Sequence, residues 1–137
     1  MSDISVTASS VLKGSGATTQ TGIAGAAITA GQTLYIDTAN SNVLKLCDVD
    51  ASDLASTCCG IALHAAGIGQ PITYQDGGAI TFNAVLTAGK VYVCTVTAGG
   101  IALVADLTTN WRTSILGYAT STTSMTLMIK NTFVVNA

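Results

Sequence analysis

A weak internal duplication constrains the fold of this chain more than any other feature of its sequence. Residues 28–63 and 86–120 align with an offset of 58 residues over most of their length and 57 residues at the end. Each unit opens with a Thr-Ala-Gly turn, passes through two apolar runs, reaches an aspartate and closes with a Gly-x-Ala segment. A repeat of this size is one supersecondary unit that buries a shared face against its copy. We therefore predict a body made of two small β units.

The composition favours strands over helices. Ala, Val, Ile and Leu supply most of the 49% hydrophobic residues, because only 5% of the chain is aromatic. Threonine is abundant and glutamate is absent, and β-branched residues fit pleated surfaces better than helices. Short apolar runs alternate with turn signals about every ten residues, which is typical of a sandwich or barrel. We predict an all-β sandwich or barrel of about ten short strands, with a jelly roll among the allowed topologies.

The sequence divides into an N-terminal segment and one β domain. Residues 1–24 are rich in Ser, Thr, Ala and Gly, and they are predicted to form an extended arm with one short strand near residues 4–6. This arm either orders on a neighbouring subunit or forms a disordered leader. Residues 25–137 fit a single domain. Within it, residues 51–56 are the best candidate for a short helix, and residues 76–78 (Asp-Gly-Gly) predict a turn.

The low charge indicates that other protein covers part of the surface. Charged residues make up 9% of the chain, against about 25% in typical soluble domains. The alternative is a soluble domain coated with Thr and Ser. Five Lys and Arg residues form no basic stripe, so a direct nucleic-acid partner is not expected. A membrane partner is not expected either, because no apolar run reaches about 20 residues, and the N-terminus lacks the pattern of a signal peptide.

The cysteines and the single histidine do not form a recognised catalytic or metal-binding pattern. Cys47, Cys58, Cys59 and Cys94 contain no Cys-x-x-Cys pair, and His64 alone cannot complete a zinc finger. We expect buried, reduced thiols, no metal and no cofactor. Cys58 or Cys59 could act as a nucleophile with His64 as its base, but the sequence around them contains no recognised catalytic signature. We expect no catalytic residues and therefore no enzyme; the thiol-enzyme alternative predicts that Cys→Ser abolishes an activity.

Two further clusters have competing interpretations. Asp48, Asp50 and Asp53 resemble a calcium loop, but the sixth position lacks glycine and the twelfth lacks glutamate. A solvated loop tip is the better interpretation. Trp111 and Arg112 are the only tryptophan and the only arginine, and they are adjacent. They are either an exposed interface hot spot or a tryptophan that closes the end of the barrel.

Several segments resemble the capsid decoration proteins of tailed bacteriophages, which are also called cement or head-stabilising proteins. The resemblance lies in residues 25–37 (GAAITAGQTLYID), 59–62 (CGIA) with the Gly-rich stretch that follows, 86–93 (LTAGKVYV) and 115–119 (ILGYA). It covers roughly residues 25–130. It implies a small β-rich fold that binds the outer face of the capsid shell, and it brings no catalytic residues with it.

The resemblance and the composition together predict a structural virion protein. It would bind the outer surface of a phage capsid, stabilise contacts between major capsid protein subunits, and be made in the host bacterial cytoplasm. A homo-oligomer, either a dimer or a trimer, would suit a capsid site. The residues expected to contact capsid or subunits are Ile4, Val6, Val11, Leu12, Lys13, Trp111 and Arg112.

Two alternatives remain at this stage. One is a phage tail or fibre component. The other is a small β-barrel module that binds carbohydrate or another ligand, with an aromatic platform made of Tyr35, Tyr74, Tyr92 and Trp111.

Overall fold

The fold is an antiparallel all-β structure, as the sequence predicts. A computed structural model describes residues 3–106 and 111–135, apart from the side chain of Phe133. Short 3₁₀ helices span Ala8–Ser10 and Val104–Asp106. The strands are β1 (Leu12–Lys13), β2 (Thr18–Ile23), β3 (Thr33–Asp37), β4 (Val43–Leu46), β5 (Cys58–Ala62), β6 (Pro71–Thr81), β7 (Val91–Cys94), β8 (Ile101–Leu103), β9 (Arg112–Ala119) and β10 (Ser124–Val135).

The sheet curls so that β4, at one end of the strand order, lies beside the residues that follow β2. Its main path runs β4-β3-β5-β6-β10-β9-β7-β8, and β1 and β2 both pair with β6. β2 and β5 take opposite edges of β6, because both pair with it at Tyr74 and Gln75. Just beyond β2, the Gly25 N–H donates to the Leu44 carbonyl of β4 at 2.8 Å. Strands β2, β6, β5, β3 and β4 therefore form a closed ring.

The duplicated sequence units pair their strands in the same way. In the first, β3 lies between β4 and β5; in the second, β7 lies between β8 and β9. Leu34 opposes Gly60 in the first unit, and Tyr92 opposes Gly117 in the second. In both units the register shifts at the next residue. The duplication therefore extends to strand order, register and the position of a bulge.

The turns that open the two units are also equivalent. The Gly31 N–H donates to the Ala62 carbonyl at 2.8 Å, and the Gly89 N–H donates to the Ala119 carbonyl at 2.8 Å. The two glycines have φ angles of 90° and 81°, a backbone conformation that side chains other than glycine adopt with strain. The Thr-Ala-Gly motif therefore repeats because each unit needs the same left-handed turn before its first strand.

Strand β6 serves both units, and here one sequence expectation is wrong. Asp76, Gly77 and Gly78 were expected to form a turn, but β6 runs through them without interruption. Gly77 pairs with Thr18 of β2 and with Met128 of β10. These ladder partners satisfy backbone groups that a turn would release. The positive φ of Gly78, 79°, lies inside the strand.

The core has two parts, a smaller cluster within the first unit's ring and a larger cluster to which both units contribute. The ring of β2, β6, β5, β3 and β4 surrounds the smaller cluster, which comprises Ala24, Ile28, Leu34, Leu44, Ala62, Ala66, Ile72 and Tyr74. The larger cluster packs under the second unit, with Ile80, Leu116 and Met125 fully buried. It also contains Cys47, Cys58 and Cys94. β6 contributes to both clusters, so the two cores form on either side of one strand.

The N-terminal segment lies along the body of its own chain. The Ile4 N–H donates to the Ile101 carbonyl at 2.8 Å, and Asn83 bonds to the backbone of Ser5 and Thr7. Val11 is buried, and β1 and β2 pair with β6. Residues 3–24 are thus extended but form part of the sheet. Contact of this segment with a neighbouring subunit stays a prediction.

Two local expectations are wrong. Residues 51–56 form turns and no helix, because the Ser56 and Thr57 hydroxyls both donate to the Asp53 carbonyl, each at 2.8 Å. Such side-chain bonds compete with helix propagation. Residues 4–6 form no strand; this stretch makes a single bond to β8.

We expect Gly117→Ala to destabilise the fold, because a Cβ at this position would lie far closer to the Thr126 carbonyl oxygen than van der Waals contact allows. The rigid backbone of β10 cannot move away cheaply, so the loss should be about 2 kcal/mol or more. Gly67→Ala is the control, since its nearest neighbour, Gln70 Oε1, lies at 3.4 Å. Urea unfolding measures both; equal stability of the two variants would contradict the close packing of β9 on β10.

A buried carboxylate makes the stability of the β3–β4 hairpin depend on pH. Asp37 accepts from Lys45 Nζ at 2.8 Å, and hydrogen bonds from Lys45 and Asn40 lower its pKa. A lowered native pKa contributes stability above the unfolded pKa, about 4, and that stability is lost as pH falls through the native pKa. We expect Asp37→Asn to destabilise the chain at neutral pH, with a difference from wild type that shrinks below about pH 4. Lys45→Met should give the same pH dependence in urea unfolding.

Candidate contact face and buried thiol cluster

The outer side of the second half of the sheet presents a continuous set of uncharged side chains. Leu12 of β1 opposes Thr81 of β6, which also opposes Ser124 of β10. In the next row, Thr126 of β10 opposes Ala79 of β6 on one side and Tyr118 of β9 on the other. Tyr118 in turn opposes Val91 of β7. Met128 opposes Gly77 in the third row. We call this set the contact face; its residues are Leu12, Ala79, Thr81, Val91, Tyr118, Ser124, Thr126 and Met128.

Burial on the alternate positions confirms that these residues point outward. Ile80 opposes Met125, and Met125 opposes Ala119, and all three are at most 1% exposed. Opposed residues share a side of the sheet, and alternate residues take opposite sides. Met125 and Leu127 are buried, whereas Met128 is exposed and Thr126 is partly exposed.

The contact face shares two features with protein interfaces, namely the absence of charge and protruding large side chains. None of its residues is charged, and its large side chains protrude: Leu12 and Met128 are each 62% exposed and Tyr118 is 41% exposed. Aromatic residues and Met are enriched in interface cores, whereas Lys, Glu and Asp are depleted. The paired strands behind the face hold it rigid, so little backbone order must be gained on binding.

The N-terminal residues predicted to make contacts are divided by the structure. Leu12 belongs to the contact face, and Lys13 is exposed next to it. Val11 is buried, and Ile4 and Val6 are partly buried against the larger core cluster. Those apolar side chains pack the segment against its own chain, and their contact with a partner stays a prediction.

Trp111 and Arg112 do not form an exposed pair. Trp111 is 6% exposed within the larger core cluster, in keeping with the packing interpretation. Arg112 Nε donates to the Asp53 carboxylate, and its Nη1 donates to the Val49 carbonyl at 3.3 Å. Arg112 therefore holds the 49–53 loop against β9. The expected exposure of Trp111 is therefore wrong, and contact of Arg112 with a partner stays a prediction.

Sequence reasoning missed Tyr118 and Met128 as contact residues. The signal was present, because a methionine on the outer side of a predicted strand is an unusual exposed apolar residue. Tyr118 offered no such signal, because β9 contains a bulge that changes which residues share a side.

The aromatic platform expected of a carbohydrate-binding module does not form. Tyr74, Tyr92 and Trp111 are buried, and Tyr35 is only partly exposed. A cavity of about 290 Å³ does lie between the N-terminal segment and the turns at residues 29–32 and 97–100. Its lining contains none of these four aromatic residues, so stacking on a sugar ring finds no support there.

His64 is engaged by the backbone. Its Nδ1 lies 2.9 Å from the Ala65 carbonyl, and its Nε2 accepts from the Thr73 N–H at 3.0 Å. A general base must offer a free nitrogen to its nucleophile. Burial also raises the pKa of Cys59 to about 12, so that thiol stays protonated near neutral pH. The arrangement does not support a Cys–His nucleophile.

Three of the four thiols converge in the core, which the local spacing of the cysteines could not indicate. The sulfurs of Cys47, Cys58 and Cys94 all lie within 4.8 Å of one another, and all three residues are buried. Burial raises the pKa of Cys47 well above its usual value. The Cys47 and Cys58 thiols, as neighbouring donors, hold the pKa of Cys94 well below its usual value. The cluster is thus a polar feature inside an apolar core.

The acidic loop does not gather cation ligands. Among the described residues, the convergent set of potential ligands is the cysteine cluster. Asp53 is paired with Arg112, and the Asp50 N–H donates to the Asp48 carboxylate at 3.3 Å. Desolvation raises the pKa of Asp48. The solvated loop tip is the interpretation that fits.

Comparisons with protein-family models, with curated proteins and with solved structures find no match to the chain. No helix in the described part of the chain is long and apolar enough to cross a membrane.

We expect the native protein to resist thiol reagents. Burial shields Cys47, Cys58 and Cys94, and a pKa of about 12 keeps Cys59 protonated. Because the thiolate is the reactive form, Ellman's reagent at about pH 8 should react at least about a thousandfold more slowly than with free cysteine. Denaturant should release all four thiols, and three in Cys59→Ser. Rapid labelling of native Cys59 would contradict this and restore the nucleophile hypothesis.

Proposed function

We propose that this chain is a structural virion protein. It binds the outer surface of a phage capsid and stabilises contacts between major capsid protein subunits. The observation that carries the proposal is the uncharged contact face, with Leu12, Tyr118 and Met128 protruding from a rigid sheet. The resemblance of residues 25–130 to capsid decoration proteins points to the same role.

A rigid, uncharged face suits repeated weak binding on a lattice. Each contact orders few side chains and desolvates no charge, so its cost is small. Hydroxyl groups of Thr81, Ser124 and Thr126 can exchange water for a partner's backbone groups, while the protruding side chains fill pockets. Subunits that also associate with one another would gain avidity from several such contacts. A dimer or trimer that presents several faces fits this scheme.

The N-terminal segment supports the face and is not a separable clamp. Leu12 reaches the contact face because β1 pairs with β6. Deleting residues 1–24 would remove Val11 from the core and expose the edge of β6 that β1 and β2 cover. Loss of capsid binding in such a truncation would therefore report damage to the fold. Point substitutions on the face are the cleaner test.

A tail or fibre component is the second candidate, because the same face could bind a tail protein. The two differ in the particle to which the chain binds: a decoration protein binds heads that lack tails. The virion role, in either form, places the chain on a particle after its synthesis in the bacterial cytoplasm.

We expect Met128→Asp and Tyr118→Asp to weaken binding to capsids stripped of this protein by at least about tenfold each, because an unpaired charge would be desolvated in the interface. Ile68→Asp is the matched control: Ile68 is 76% exposed but lies on the β5–β6 loop, away from the contact face. Co-sedimentation with tailless heads measures binding. All three variants should unfold within about 0.5 kcal/mol of wild type.

The possible results separate the proposals. Saturable wild-type binding that only the face variants lose supports the capsid role. Binding to tails but not to heads would overturn it in favour of the tail component. If the face variants change the oligomeric state in sedimentation velocity and leave capsid binding intact, the contact face is a contact between copies of this chain, and the assignment of this face to the capsid fails.

A further inference from the structure

We propose that Cys47, Cys58 and Cys94 form a structural zinc site that joins the two repeated units, with the Thr33 hydroxyl as the fourth donor. This inference goes beyond the proposed function and does not depend on it. Metal content and capsid binding are measured separately, so either can fail alone.

The sulfurs are already close to the spacing that zinc requires. In a tetrahedral site with Zn–S bonds of about 2.3 Å, sulfurs lie about 3.8 Å apart. The three sulfurs here lie within 4.8 Å of one another, so closure shortens each sulfur–sulfur separation by at most about 1 Å. Each cysteine sits at the end of a strand or just beyond one: Cys47 follows β4, Cys58 opens β5 and Cys94 ends β7. Such positions adjust more easily than the middle of a ladder.

An unpartnered hydroxyl beside the cluster is the second, independent observation. Thr33 is fully buried, and its Oγ1 has no hydrogen-bond partner among the described residues. Its backbone carbonyl accepts from the Cys47 N–H at 3.0 Å, so Thr33 lies beside the cluster. A buried hydroxyl without a partner costs roughly 1–3 kcal/mol, and a metal at the cluster would give its oxygen a ligand role.

Hydrogen bonds fix the backbone of two of the cysteines, as the outer partners of ligands do in metal sites. Asn131 accepts from the Cys58 N–H at 3.0 Å and donates to the Cys58 carbonyl at 3.0 Å. The Ser114 hydroxyl donates to the same side chain at 2.5 Å. The Cys47 N–H donates to the Thr33 carbonyl at 3.0 Å. Networks of this kind orient ligands and are a regular part of metal sites.

The ligand chemistry selects the metal. Thiolates are soft donors, which exclude Mg²⁺ and Ca²⁺ and favour Zn²⁺ or Cu(I). Three thiolates with Zn²⁺ leave one net negative charge in the core, whereas three with Cu(I) leave two. Burying the smaller charge costs less. Each thiol that becomes a ligand releases its proton to solvent as the Zn–S bond forms, and no oxidation or reduction is involved.

The site would connect parts of the chain that local structure does not join. Cys47 and Cys58 belong to the first repeated unit and Cys94 to the second. A structural zinc contributes its binding free energy to folding, so this one would hold the two units together across the larger core cluster. A spacing with no Cys-x-x-Cys pair hides such a site from sequence patterns.

The test is the metal content and stability of the full-length protein made in zinc-supplemented medium. We expect about one zinc per chain by elemental analysis after gel filtration. Stripping with a strong chelator should lower the melting temperature by at least about 5 °C, and restoring Zn²⁺ alone should recover it. Cobalt substitution should give the visible absorption of tetrahedral Co²⁺–thiolate, a readout that a merely packed thiol cluster cannot produce.

Matched variants localise the site. Cys94→Ser should lose the zinc, whereas Cys59→Ser keeps it, because Cys59 lies outside the cluster. Should Cys94→Ser fail to fold, Thr33→Val preserves shape and all three thiols, and it should retain the fold with at least about tenfold weaker zinc affinity. Copper in place of zinc overturns the choice of metal. If the protein folds in excess zinc and contains no metal, the site itself is overturned. A disulfide between two of the cluster cysteines, detected as the loss of two thiol hydrogens, would overturn it as well.

Discussion

The backbone hydrogen bonding of strand β6 is the constraint on which the rest of the structure depends. β5 and β2 bond to opposite edges of its first half, and β10 and β1 bond to opposite edges of its second half. One strand thus completes the ring of the first unit and supplies the edge on which the second unit is built. The glycines Gly77 and Gly78 let it do so without a break, because residues 16–18 approach it closely there. Each apolar cluster is covered only because this strand continues.

The same strand positions the contact face. Its second half alternates between residues packed into the larger core and residues on the contact face, so one ladder organises both. The ladder makes the face rigid, and the low charge of the chain makes it inexpensive to desolvate. The exposed Leu12, Tyr118 and Met128 come from three different strands. They form one surface only through the register of β1, β9 and β10.

The polar interior is concentrated where the two units meet. Thr33, Thr95 and Ser114 are buried close to the cysteines or to the segments that carry them. A core made of aliphatic residues alone would be simpler to stabilise, since each buried polar group needs a partner. At the junction of the two units, Thr95 and Ser114 find such partners within the chain, whereas the Thr33 hydroxyl finds none among the described residues.

Much of the architecture could be predicted from the sequence, because it depends on local chemistry. Alternating apolar residues predicted most strands, and the Thr-Ala-Gly turns with positive φ at Gly31 and Gly89 marked the start of each unit. The Asp-Gly-Gly stretch misled because its glycines serve a bend inside a strand whose partners lie far away in sequence. For the same reason, the burial of Val11, the assembly of the contact face and the convergence of Cys47, Cys58 and Cys94 could not be predicted. The sequence by itself determined which residues alternate and turn. Only the tertiary structure decided which strands oppose one another, because long-range pairing depends on the whole sheet closing its ladders at once.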